Sequence, residues 1–159
     1  MIHNQKWIFP QNIREAGKCP VFIKKFHSED IVNAELCITA KGVYYAELNG
    51  ERVGNFVMAP GYTFFSKRHQ YQNYDISSLL DNGENILKIT VAAGWYSGRI
   101  VHSSDWKPEI IAEIVLEYAD GKKELIGTDE TWLVGEGELV FSDIYDGEIF
   151  DATREILDL

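Results

Sequence analysis

Sulfur and basic side chains are scarce in this sequence, and each shortage removes a class of explanation. Only two cysteines, Cys19 and Cys37, occur in 159 residues. They form no CxxC pair and no metal-ligand spacing, so the sequence encodes neither a disulfide framework nor a cysteine zinc site. Cys37 sits in the apolar run LCITA and reads as a small core residue. A chain of this length buries roughly 70% of its unfolded surface and needs no cross-link. Lysine and arginine number 15 against 25 acids, a formal net charge of −10. Phosphates would be repelled by that charge, which argues against nucleic acid as a partner. No apolar run approaches the roughly 20 residues that span a bilayer, so no membrane partner is expected. The N-terminal MIHNQKWIFPQ lacks the basic start and apolar centre of a secretory signal. The expectation is a cytoplasmic protein, or a secreted one whose leader has been removed or omitted.

Catalytic templates are missing as well. His3, His27, His69 and His102 are scattered, with no HxxxH pair. Ser97 lies in GWYSG, one place too late for the G-x-S-x-G nucleophile elbow. No glycine pattern of the Walker or dinucleotide type is present.

Strand and turn signals dominate what remains. In KGVYYAELNGERVG, Asn49-Gly50 supplies the two positive-φ residues of a type I′ turn. Tyr44, Ala46 and Leu48 alternate with Tyr45 and Glu47, which gives one packed and one wet face. Ala59-Pro60-Gly61 then opens an aromatic-rich excursion reaching about Lys67. Further strands are predicted at Val21–Phe26, Asp30–Lys41, His69–Tyr74 and Asn85–Ala93. A pair at Glu109–Tyr118 and Lys122–Ile126 turns on Asp120-Gly121. Another at Thr131–Val134 and Leu139–Phe141 turns on a Gly-Glu-Gly connection. Asp75 reads as the N-cap of one helical turn, and Asp146-Gly147 as a last turn before a short closing strand. Trp7 and Phe9 are expected to pin the irregular lead-in onto the body. Many short strands with almost no helical periodicity predict an all-β fold, a two-layer antiparallel β-sandwich over residues 1–159.

Two constellations carry chemistry. Trp95, Tyr96, Arg99, His102, Asp105 and Trp106 join aromatic rings to charged groups, the composition of a saccharide site, where a ring meets the sugar's C–H face. The alternative is that Trp95 and Tyr96 plug the core while Arg99 pairs with an acid. Asp143, Asp146, Glu148 and Asp151 form the second group. Flanking acids suit glycoside hydrolysis, and clustered oxygen ligands suit calcium. Turn aspartates, however, commonly bond their own backbone, which leaves a structural or domain-interface role.

Taken in order, the blocks ITAKGVYYAELNGERVG, APGYTFFSKRHQYQNYDIS, NGENIL, GWYSGR, EYADGKKELIGTDETW and SDIYDGEIFDA resemble the N-terminal β-sandwich module of bacterial α-L-rhamnosidases. The resemblance implies a jelly-roll, carbohydrate-binding-module-like domain excised from a larger multidomain glycosidase. Catalysis in that family belongs to the acids of a separate α-helical barrel. This chain would then be a non-catalytic accessory that binds L-rhamnose or braces the catalytic domain, or a purely structural interdomain module. Other domains of the parent enzyme and a rhamnose-containing glycan are the implied partners. Some family members hold the sugar through calcium, and the resemblance matches Asn55 and the loop after Gly98-Arg99 to that site. Here only Ile100 to Pro108 fills a place where the family often has a longer loop, which shifts weight toward the bracing role.

Overall fold

The computed structural model describes residues 5–13, 15, 17–99 and 107–154. Among them, the strands in chain order are β1 (Lys18–Ser28), β2 (Ile31–Lys41), β3 (Val43–Leu48), β4 (Glu51–Arg52), β5 (Gln72–Asp75), β6 (Gly83–Ala92), β7 (Glu109–Tyr118), β8 (Lys123–Gly127), β9 (Leu133–Asp143) and β10 (Gly147–Phe150). A single 3-10 turn, Ser77–Leu79, precedes β6. The strands pair antiparallel in two sheets, ordered β10-β9-β1-β6-β3-β4 and β5-β2-β7-β8. This is the two-layer antiparallel sandwich that the turn spacing predicts. No helix among the described residues is long and apolar enough to cross a membrane.

Alternation builds the core. In β6, Asn85, Leu87, Ile89 and Val91 are fully buried, while Lys88 and Thr90 face outward and are half-buried. Leu87, Ile89 and Val91 join Leu36 and Ile38 of β2 and Ile110, Ile114 and Leu116 of β7 in one apolar cluster. Each such side chain stabilises the fold by about 1.5–3 kcal/mol. The hairpin forms as read, with Asn49 at φ 54° and Gly50 at φ 81°. Both cysteines are free and buried, and burial pushes the Cys19 thiol up to about 12.

Several boundaries differ from expectation. The Gly-Glu-Gly segment does not reverse the chain: β9 runs unbroken through Gly135 and Gly137. Pro20 of β1 has no N–H to offer the ladder. At that point the β1–β9 register jumps from Pro20↔Glu136 to Lys18↔Phe141, and the glycine-flanked stretch absorbs the bulge. The strand predicted from His69 begins only at Gln72, so the excursion is longer than expected. Asp75 sits one residue before the cap of the 3-10 turn, where its Oδ1 accepts the Ser77 N–H at 2.9 Å. In β2 both faces are covered from Leu36 to Ala40, so Cys37 is buried as its apolar run predicts and Thr39 is buried with it. The lead-in supplies part of that cover. Ile8 bridges Ile110, and Gln5 Nε2 donates to Glu113, the register partner of Cys37, at 3.0 Å. Trp7 packs beneath the Lys41 ammonium as a pin, whereas Phe9 is 56% exposed.

One end of the sandwich is tied by a buried amide. Asn85 Oδ1 accepts from Asn49 Nδ2 and from the Asp81 N–H, both at 2.8 Å. Its Nδ2 donates to Ser28 Oγ and Asp81 O at 3.0 Å and to Gly83 O at 3.1 Å. Asn49 in turn accepts the Ile86 N–H at 2.9 Å, so the end of β1, the β3–β4 turn and the start of β6 share one network. Asn85→Ala strands several of these buried groups, each worth about 1–3 kcal/mol when left unpaired. The expected loss is ~3 kcal/mol by urea denaturation, seen as a Tm lower by about 10 °C.

Candidate functional site

The opposite end of β6 leads into the aromatic loop. After Ala92 the chain turns through Gly94, with the Tyr96 N–H donating to Ala93 O at 3.0 Å. Gly94 is fixed by space: at φ 54° a Cβ there would lie 2.5 Å from Val43 Cγ1. Trp95 and Tyr96 are therefore set half-buried at the rim of the core.

The excursion between β4 and β5 folds over this loop. It is anchored by Val53 N–H to Ala46 O at 2.9 Å and Tyr44 N–H to Ala59 O at 2.7 Å. Gln72 Nε2 adds a bond to Pro60 O at 3.2 Å. Gly54, at φ 67°, lies so close to the Tyr74 ring that a Cβ would fall 2.3 Å from it. The Tyr74 hydroxyl meets that of Tyr44 at 3.2 Å. Burial, then that hydrogen bond, raises the Tyr44 pKa far above its ordinary value and keeps the phenol neutral.

Rings connect the two segments. Tyr62 lies edge-on to Trp95 at 6.4 Å and to Phe65 at 6.0 Å; Phe65 meets Tyr96 at 5.4 Å and His69 at 5.8 Å. Trp7 closes the row against His69 at 5.3 Å. Burial, then the charge of Lys41, lowers the His69 pKa and favours the neutral imidazole. Such aromatic pairs contribute about 0.5–1.5 kcal/mol beyond area burial. Trp95 and Tyr96 thus pack, as the blander reading has it, yet Tyr62 remains 62% exposed beside Trp95. Sequence reasoning missed Tyr62 and Phe65. The density of rings in GYTFFSKRHQYQNY was the available signal, but spacing alone does not say which rings meet the GWY loop.

Arg99 pairs with an acid. Its guanidinium contacts the Asp146 carboxylate and lies 6.0 Å from the Tyr145 ring centroid. The Arg99 N–H reaches Asp143 Oδ2 at 3.4 Å, while Asp143 Oδ1 accepts from the N–H groups of Tyr145 and Asp146 at 2.8 and 3.2 Å. Asp143, not Asp146, is therefore the acid that bonds the backbone of this turn. Burial, the largest influence, pushes its carboxyl up, but those three N–H groups and the Arg99 charge together hold it below the usual range. Asp151 accepts from Thr153 N and Oγ1 at 3.1 and 2.6 Å, and Glu148 is exposed, its carboxylate without a hydrogen bond or ion pair among the described residues.

Asp143 and Asp146 share the Arg99 turn, while Glu148 and Asp151 take no part in it. Among the described residues, no group of three or more His, Cys, Asp or Glu side chains could hold a metal ion. The Asp143 oxygens already accept N–H groups, and a cation beside Asp146 would face a guanidinium. Among the described residues these acids act as turn acceptors and an ion-pair partner, not as a cluster of cation ligands. Asn55 is exposed at the start of the excursion, and no hydrogen bond or ring contact joins it to residues 93–99. His102, Asp105 and Trp106 lie outside the described residues. Ser97 is fully buried, and its hydroxyl has no partner among the described residues.

The profile of the α-L-rhamnosidase N-terminal domain matches residues 29–159. The chain belongs to that family. An α-L-rhamnosidase of Formosa agariphila is 40% identical over 145 residues, which cover 86% of this chain and 16% of that protein. The native α-L-rhamnosidase of Aspergillus terreus shares the fold with a TM-score of 0.86 at 36% identity, over 93% of this chain and 18% of that one. The α-L-rhamnosidase of Streptomyces avermitilis, in a crystal complexed with L-rhamnose, gives a TM-score of 0.79 at 36% identity, over 86% and 14%. This rhamnosidase N-terminal domain therefore spans less than a fifth of the length of these relatives.

Gly98 has no room for a side chain. At φ 88°, a Cβ would lie 2.4 Å from Asp143 Oδ2. Gly98→Ala is expected to cost ~2 kcal/mol from the left-handed backbone alone and to release the Arg99 loop, read as faster amide exchange at Arg99. Because Asp143 has a depressed pKa when folded, its contribution is present above the unfolded value near pH ~4 and is lost as pH falls through the folded value. Asp143→Asn should therefore show a shallower loss of urea stability below about pH 4 than the parent.

Proposed function

We propose that this domain is a non-catalytic accessory module of an α-L-rhamnosidase, which offers its aromatic end to an L-rhamnose-containing glycan while bond cleavage takes place elsewhere in the parent enzyme. The observation that carries the reading is the Tyr62–Trp95 pair. An exposed ring stands edge-on against a half-buried one, and a loop pinned through Asp143 and Asp146 holds it in place. A ring already fixed by packing loses little rotamer entropy when a sugar stacks on it. The engagement of Asp143, Asp146 and Asp151 in turns and ion pairs supports placing the hydrolytic acids in another domain. The relative crystallised with L-rhamnose makes that sugar the natural first ligand to try.

A second reading has its own support. Phe56, Val57 and Phe64 on the same excursion are 49%, 71% and 68% exposed. Apolar surface of this kind commonly marks a protein interface, so the excursion also suits a module that braces the catalytic domain and binds no sugar.

Calorimetric titration separates the two readings. L-rhamnose should bind with a millimolar Kd, about −4 kcal/mol, and Trp95→Ala or Tyr62→Ala should abolish the heat. The titration is run with calcium and again with a chelator, so that a metal-dependent mode is read in the same experiment. No heat under either condition leaves the bracing role.

A further inference from the structure

A second recess, apart from the aromatic end, crosses the outer face of the six-stranded sheet. Its volume is about 390 Å³, within the range of small-ligand pockets. Register explains how it arises. Val21 of β1, Thr90 of β6 and Tyr45 of β3 are partners across three adjacent strands and make the floor. Two residues along, on the same face, Lys88 forms an ion pair with Glu47 at 2.5 Å. On the far side the β9 bulge raises Glu138 and Leu139 against β10, where Leu139 pairs with Phe150. Glu148 and Phe150 are two apart on β10 and complete that wall. The groove is thus a product of Pro20, whose missing N–H interrupts the ladder beside it.

We propose that this groove is a second saccharide subsite, one that takes a neutral oligosaccharide and rejects acidic sugars. The assignment rests on the carbohydrate reading given above and extends it to a separate surface. Two exposed aromatic side chains, Tyr45 at 44% and Phe150 at 59%, line the groove. Arg52 lies 5.4 Å from the Tyr45 ring centroid and steadies it. Neither Glu138 nor Glu148 has a hydrogen bond or ion pair from its carboxylate among the described residues. These carboxylates accept only, so they call for a ligand rich in hydroxyl donors. The Lys88–Glu47 pair offers a donor and an acceptor, matching the dual character of a sugar hydroxyl. Acidic sugars meet unpaired carboxylates on a protein of net charge −10 and are repelled.

The test is an amide NMR titration of the full chain with rutinose, a neutral disaccharide ending in L-rhamnose, and in parallel with digalacturonate. Rutinose should shift the amides of Thr90, Glu138, Glu148 and Phe150, and digalacturonate should leave them in place. Phe150→Ala, an exposed site that does not burden folding, should weaken the groove response about fivefold or more without altering shifts at Trp95 and Tyr96. Glu148→Gln should weaken the same response and reduce the discrimination against digalacturonate. Shifts confined to the Trp95 loop and the excursion overturn the groove and leave the aromatic-end reading standing. No shift anywhere overturns both. An equal response to digalacturonate overturns the neutral-saccharide assignment.

Discussion

The side-chain amide of Asn85 has no exposed surface and makes five hydrogen bonds to four residues, and it decides which end of this sandwich is rigid. A buried amide left half-bonded would be worse than an apolar residue, so the network holds only if β1, the β3–β4 turn and the start of β6 arrive together. That requirement sets the register of β6 between β1 and β3. Once β6 is registered, Leu87, Ile89 and Val91 fall on the core side, and the strand delivers Gly94 and Trp95 to the far end.

The far end has a different logic. There the backbone is held at separated points, such as Tyr44 to Ala59 and Gln72 to Pro60, and the space between is filled by rings. Rings pack with looser geometric demands than an amide network, so the excursion can expose Phe56, Tyr62 and Phe64 while Phe65 is half-buried. One end fixes the strands and the other displays side chains. Function at loops carried on a rigid scaffold follows that division.

Much of this was legible from the chain itself. Turn chemistry located the Asn49-Gly50, Asp120-Gly121 and Asp146-Gly147 reversals, because positive φ at those glycines is a local property. Alternation located the inward residues of β3 and β6. What stayed hidden depended on a neighbour. Gly135 and Gly137 look like a turn until Pro20 lies beside them, since nothing in residues 131–141 reports a missing donor on another strand. Thr39 looks like a wet position until the excursion lies against it, where Gln70 O accepts from its hydroxyl. Arg99 advertises a charge, but only the fold shows that Asp146 answers it and that Gly98 must lack a side chain for Asp143 to reach the loop. Asn55 and the rings at 95 and 96 were named from composition and resemblance. The fold brings Tyr62, not Asn55, against those rings.

The acids at 143–151 acquire a physical role once the sheet widths are compared. Six strands face four, and β10 is the margin of the wider sheet. Every residue of β10 is exposed, including Ile149 at 58% and Phe150 at 59%. A short apolar edge strand with free N–H and C=O groups invites pairing with another chain. Here Asp146, Glu148 and Asp151 surround it, and two such edges approaching one another would bring like charges together. Charge on an edge strand is a recognised guard against edge-to-edge association. Arg99 and Arg154 pair with two of these acids, Asp146 and Asp151, so Glu148 is the carboxylate on β10 that carries its charge without an ion pair among the described residues.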